Sequence, residues 1–141
     1  MGRITYQSFA RAWPTVPDNP SVSEGEKAYA RKLNAMQKIV FSKSLQQVEW
    51  ANSRLVKDHI EEEAARLKQE PGKDMLIYGS ASIVQALTNS DLIDEYQLLI
   101  YPVILGSGKP LFKDIRARAN LTLVNSTIHP SGVALLTYQQ I

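Results

Sequence analysis

Apolar residues recur along this chain with two periods. Phe9 and Trp13 give an apolar side to a short helix over residues 6–12, with Thr5 placed to cap its start. Pro14, Pro17 and Pro20, with Asp18 and Asn19, predict an irregular surface stretch. Ser23 and Glu26 have capping-box spacing, so a second helix is expected from there to about Leu33, weakened by Gly25. The consecutive β-formers Ile39, Val40 and Phe41 predict a strand over 37–42, buried on both faces. An extended piece is weakly signalled over 48–51. Val56, Ile60, Ala64 and Leu67 then fall on one side of a helix over 56–70, with Glu61, Glu62 and Glu63 contributing to the other; Pro71-Gly72 stops it.

Met75, Leu76, Ile77 and Tyr78 predict another short buried strand, and Gly79-Ser80 leads from it into a helix over 81–87. Leu92 and Ile93 close that unit. Residues 95–105 alternate as a long strand, 106–110 form a loop, and Leu111 and Phe112 are expected to pack back on the body. Residues 121–128 and 133–139 read as a hairpin around His129, Pro130, Ser131 and Gly132. Strands alternating with helices imply crossovers and parallel pairing, and the hairpin adds antiparallel strands. The expected class is α/β with a mixed sheet, in a single domain over 1–141 without internal repeats or linkers.

Composition narrows the chemistry. The 141 residues fit one domain. The absence of cysteine excludes disulfides, thiolate metal sites and a cysteine nucleophile. With 16 basic against 14 acidic side chains, the net charge of +2 does not favour a nucleic-acid or membrane partner. The apolar runs are too short to span a bilayer, and no signal peptide opens the sequence, so a cytoplasmic location is expected.

Three turns suit phosphate. In Ile77-Tyr78-Gly79-Ser80-Ala81-Ser82-Ile83, a strand gives way to small residues at a helix start, where free N–H groups attract anions. Equally, Gly79 makes only a tight turn and Ser80 only a cap. In Gly2-Arg3-Ile4-Thr5, Thr5 offers a hydroxyl and Arg3 a charge; alternatively this is a capped helix with a solvated arginine. Ser42-Lys43-Ser44 follows a buried strand, where ligands of α/β sheets collect; two hydroxyls and an ammonium suit a ribose 2′-phosphate, or form an ordinary polar turn. Gly106-Ser107-Gly108-Lys109 is not a P-loop, because Val103 replaces its first glycine and Pro110 its hydroxyl residue. His59 lies near Glu62 and Glu63 without a second histidine, and a solvated helix face explains it better than a metal.

Taken in order, Gly2-Arg3-Ile4-Thr5-Tyr6, Lys38-Ile39-Val40-Phe41-Ser42, Asn52-Ser53, Pro71-Gly72, Ile77-Tyr78-Gly79-Ser80, Leu92-Ile93-Asp94-Glu95 and 102–112 resemble the dihydrofolate reductase-like superfamily. Within it the chain is most similar to the branch of the riboflavin-biosynthesis reductase C-terminal domain. The resemblance implies a three-layer α/β/α fold, with a mostly parallel mixed sheet and a C-terminal antiparallel hairpin. It implies NADPH as cofactor and a homodimer. It places Gly2, Arg3 and Thr5 at the cofactor phosphates, Ser42 and Lys43 near the 2′-phosphate, and Gly79, Ser80, Ala81, Ser82 and Ile83 around the pyrophosphate. Gly106 and Gly108 would sit beside the active-site cleft.

Members of that superfamily carry a central strand, a loop and a helix before the G-R-x-T motif. Here Gly2-Arg3 opens the sequence, so the expectation is a domain lacking its usual first strand, and no catalytic residue is assigned. The expected activity is hydride transfer from NADPH to a pterin-, pyrimidine- or sugar-linked small molecule, as in 5-amino-6-(5-phosphoribosylamino)uracil reduction. The alternative is a non-catalytic nucleotide-binding or dimerisation protein that retains the fold.

Overall fold

The computed structural model describes residues 1–141, which divide into two compact units, Met1–Ile83 and Val84–Ile141. The class is α/β, with parallel pairing in the first unit and antiparallel pairing in the second.

The first unit begins with helix α1 (Arg3–Ala12), followed by a 3₁₀ turn (Val16–Asp18) and helix α2 (Glu24–Ala35). Strand β1 (Lys38–Phe41) pairs in parallel with β2 (Ser53–Val56), and helix α3 (Ile60–Lys68) follows. Tyr6, Leu33, Val40 and Trp50 form the buried core, with Phe9, Trp13, Leu55 and Tyr78 packed around them.

Two polar side chains organise that core. The Tyr6 hydroxyl accepts from the backbone N–H groups of Glu49 and Trp50, at 2.9 and 3.0 Å. This holds 48–51 as a loop against α1, not as the extended piece expected there, and β1 finds its partner at Ser53–Val56 instead. Lys38 is 5% exposed, and its Nζ donates to the carbonyls of Leu33, Asn34 and Met36 at 2.9, 3.1 and 2.7 Å. Those carbonyls are the orphan acceptors at the end of α2. The ammonium also lies 4.3 Å from the Trp50 ring centroid. Burial pulls the Lys38 pKa down, while three carbonyls favour the charged form. This explains why α2 persists to Ala35 despite Gly25. Its start is the expected capping box between Ser23 and Glu26.

Three boundaries differ from the sequence reading. Helix α1 starts at Arg3 with Gly2 as its N-cap and no side-chain cap, so Thr5 lies inside the first turn. Val56 belongs to β2, because His59 adopts left-handed geometry (φ 57°) and starts α3 only after it. Residues 75–78 join no strand ladder, and Met75 and Leu76 are 52% and 60% exposed. An apolar run becomes a strand only where a neighbouring backbone accepts its hydrogen bonds, and β1 is occupied by β2 on one side and by Met1–Gly2 on the other.

Helix α4 (Ala81–Thr88) carries the boundary between the units. The second unit is a three-stranded antiparallel sheet, ordered β3 (Glu95–Ile100), β5 (Ala134–Gln140), β4 (Leu121–Ile128). The hairpin β4–β5 matches its expected place, with a register shift between Leu123 and Asn125. Strand β3 ends at Ile100 and not at Leu105. Pro102 has no N–H to donate, and the N–H of Val103 turns back to Tyr101 O at 2.8 Å. Phe112 does pack back, edge-on to Tyr96 with centroids 5.9 Å apart.

Two outcomes follow for stability. Tyr6→Phe leaves the N–H groups of Glu49 and Trp50 without their acceptor and should cost about 1–3 kcal/mol in urea unfolding, with the fold retained; a change within error would contradict the role given to Tyr6. Glu63 accepts from Arg66 of its own helix and from Arg54 of β2, which together hold its carboxyl down to about 2. Because the folded pKa is depressed, the stabilisation is complete above about pH 4.5 and is lost as pH falls towards 2. Carbon-detected NMR should give a Glu63 midpoint near 2, and a midpoint near 4.5 would show the two arginines to be ineffective.

Candidate functional site

Backbone hydrogen bonds bring the Gly2 and Gly79 turns together. The N–H of Gly2 donates to Gly79 O at 3.1 Å, and the N–H of Phe41 donates to Met1 O at 2.9 Å. Gly2 thus bridges β1 in parallel at Phe41 while its other edge meets the Gly79 turn. Neither glycine has room for a side chain. A Cβ on Gly2 would lie 2.5 Å from Ser80 Oγ; one on Gly79 would lie 3.1 Å from Thr5 Oγ1. Gly79 also has φ +110°, a conformation that L residues rarely adopt, and its peptide bond to Ser80 is cis.

Two helices start at this seam. The first intrahelical bond of α1 runs from Tyr6 N to Gly2 O, and that of α4 from Ile83 N to Ser80 O. The earlier N–H groups of each helix, at Arg3, Ile4 and Thr5 and at Ala81 and Ser82, have no acceptor within their helix. Both positive dipole ends therefore lie beside the hydroxyls of Thr5, Ser80 and Ser82. The Ser80 and Ser82 hydroxyls hydrogen-bond at 2.7 Å. Arg3 is exposed on the first turn of α1. Free backbone donors at two helix starts, hydroxyls and one guanidinium make a fitting surface for a phosphate.

Directly before Gly79, Tyr78 packs at a tilt against Phe9 with centroids 5.7 Å apart, and its hydroxyl accepts from Tyr29 at 3.2 Å. Burial holds the Tyr78 phenol up to about 12, so it stays neutral at physiological pH. This aromatic support was not foreseen, since Tyr29 and Tyr78 are 49 residues apart.

Ser42 and Lys43 leave β1 directly after the Gly2–Phe41 bridge. Ser42 Oγ accepts from the N–H groups of Ser44 and Leu45, at 3.3 and 3.1 Å. Lys43 Nζ pairs with Asp58 Oδ1 at 2.8 Å, with both side chains largely exposed. Asp58 also escaped the sequence reading. The parallel register Phe41↔Val56 would have found it, because Lys43 and Asp58 each lie two residues beyond that pair. The site thus gathers Gly2, Arg3, Thr5, Ser42, Lys43, Gly79, Ser80, Ala81, Ser82 and Ile83 in the first unit. Gly106 and Gly108 belong to an exposed loop of the second unit, where Gly106 has φ +73°.

Gly2→Ala should therefore drive the seam apart and cost about 1–3 kcal/mol. The double variant Gly2→Ala/Ser80→Ala removes the closest contact and should recover part of that loss. Equal destabilisation with and without Ser80→Ala would show that the two residues do not meet.

The RibD C-terminal domain family matches residues 2–135. Uncharacterized protein YyaP of Bacillus subtilis is 38% identical over 123 residues, covering 87% of this chain and 64% of that protein. Uncharacterized protein YwjB of the same organism is 44% identical over 59 residues, 42% of this chain and 34% of its own length. The chain therefore spans less than two thirds of the length of either relative. A crystal structure from Shewanella sp. PV-4, of a protein whose name links it to riboflavin biosynthesis, superposes with a TM-score of 0.66. It is 20% identical, and the match covers 91% of this chain and 85% of that one, a likeness of fold. The chain belongs to the RibD C-terminal domain family, a reductase-like family.

Proposed function

We propose that this chain is an NADPH-dependent reductase domain acting on a pterin-, pyrimidine- or sugar-linked small molecule. The observation that carries this reading is the Gly2–Gly79 seam, where two helix starts and three hydroxyls share one glycine-lined surface. The amides at 3–5 and 81–82 would hold the cofactor pyrophosphate, with Arg3 adding charge and Thr5, Ser80 and Ser82 adding hydroxyl donors. The missing Cβ atoms of Gly2 and Gly79 let the Ser80 and Thr5 hydroxyls pack close to the backbone beside those amides. Ser42 and Lys43 would meet the 2′-phosphate, which must draw Lys43 from Asp58; that pair is exposed and weak enough to yield. Gly106 is added on family resemblance alone, as a cofactor-binding residue beside the active-site cleft, and so is a homodimer.

When bound, the nicotinamide supplies the two-electron reduction. The residues named here bind and orient it, and no side chain of this chain is given the role of proton donor.

Calorimetric titration tests the reading. NADPH should bind saturably and roughly tenfold or more tighter than NADH, with most of that preference lost in Lys43→Ala. A folded sample that binds no NADPH at high micromolar concentration would overturn it. Oxidation of NADPH in the presence of a reducible pterin or pyrimidine separates a reductase from a protein that only binds the nucleotide, which would show binding without turnover.

A further inference from the structure

We propose that the second unit holds its own anion site, which takes a small phosphate monoester between Arg116 and Arg118. The two arginines, one alanine apart, line a cavity of about 360 Å³ at the C-terminal end of α4. All the residues lining it belong to the second unit, whereas the Ser80–Ala81 start used above belongs to the first.

The walls of this cavity are tied down. Asn89, just past the end of α4, clamps the loop that carries the arginines: its Nδ2 donates to Asp114 O at 3.1 Å, and its Oδ1 accepts from the N–H of Arg116 at 2.8 Å. Opposite, the N–H of Ile141 donates to Asn120 O at 3.3 Å. Gln140 Nε2 donates to Asp91 Oδ1 at 2.9 Å. The backbone presenting the charges is therefore fixed before any ligand arrives, which lowers the cost of ordering it.

The charge is uncompensated. Arg54 and Arg66 of the first unit are held by Glu63 and Glu70, but neither Arg116 nor Arg118 forms an ion pair. Asp91 is the only side-chain carboxylate lining the cavity, and Gln140 already engages it. Both guanidinium forks therefore keep planar donor pairs that no carboxylate of the structure occupies. A phosphate monoester carries close to two negative charges and three terminal oxygens, enough to satisfy both forks, whereas a single carboxylate satisfies one. Ala117 and Ala119 keep the cavity open between the charged side chains.

The test uses the full chain and glycerol 3-phosphate, followed by amide NMR. Saturable shifts are expected at Asn89, Arg116, Arg118 and Asn120, with glycerol binding at least a hundredfold more weakly. Arg116→Gln and Arg118→Gln should each weaken binding tenfold or more, while leaving the NADPH titration unchanged. Saturating NADPH should leave the affinity for glycerol 3-phosphate unaltered, so failure here is distinguishable from failure of the reductase reading. The proposal is overturned if glycerol 3-phosphate shows no saturable binding, if both variants bind within twofold of the parent, if succinate binds as tightly, or if NADPH displaces the ligand.

Discussion

The arrangement of the first unit hangs on two residues of backbone. Met1 and Gly2 donate through their nitrogens to Ile39 O and Gly79 O, at 2.6 and 3.1 Å, and accept from Phe41 and Tyr6. These four bonds join three elements: β1, the turn into α4, and the first turn of α1. A Cβ at position 2 would lie 2.5 Å from Ser80 Oγ, so any side chain there must displace that hydroxyl. Because the seam is closed, two helix starts and the end of β1 share one small region, and donors that would otherwise be dispersed face a common point. The anion-binding character proposed for the seam would thus be a consequence of how the backbone hydrogen bonds are satisfied, with no buried cation needed to produce it.

Much of this was legible in the sequence. The capping box at Ser23 and Glu26, the apolar run of β1 and the β4–β5 hairpin are local patterns, and each lies where its residues predict. The phosphate-suited turns were visible one by one, because glycine followed by small hydroxyl residues is a local signal. What failed was non-local. The start of α1 is fixed by Gly2 pairing with Phe41 and Gly79, so Thr5 lost its expected capping role. Residues 75–78 have the composition of a buried strand but are in no ladder, and composition cannot report which neighbour an edge has. The extended piece expected over 48–51 is a loop because Tyr6, some forty residues upstream, claims the N–H groups of Glu49 and Trp50.

Charges in the first unit also follow the backbone. Lys43 and Asp58 face each other because parallel strands end in register, and Lys38 is buried because α2 needs its last carbonyls capped. These two lysines, five residues apart, have opposite roles. Lys38 is committed to the fold through three carbonyls and the Trp50 ring. Lys43 is exposed, with a partner that a stronger anion can replace. Family membership covers almost the whole chain, so this division between structural and available charge is set within the matched region itself.

The most direct measurement is a backbone-amide NMR map of the chain with and without saturating NADPH. The largest shifts should cluster at residues 2–5, 42–43 and 79–83, with NADH reproducing those at 2–5 and 79–83 but not those at 42–43. Shifts confined to other regions, or a spectrum that NADPH leaves unchanged, would contradict the assignment of the Gly2–Gly79 seam as the cofactor site.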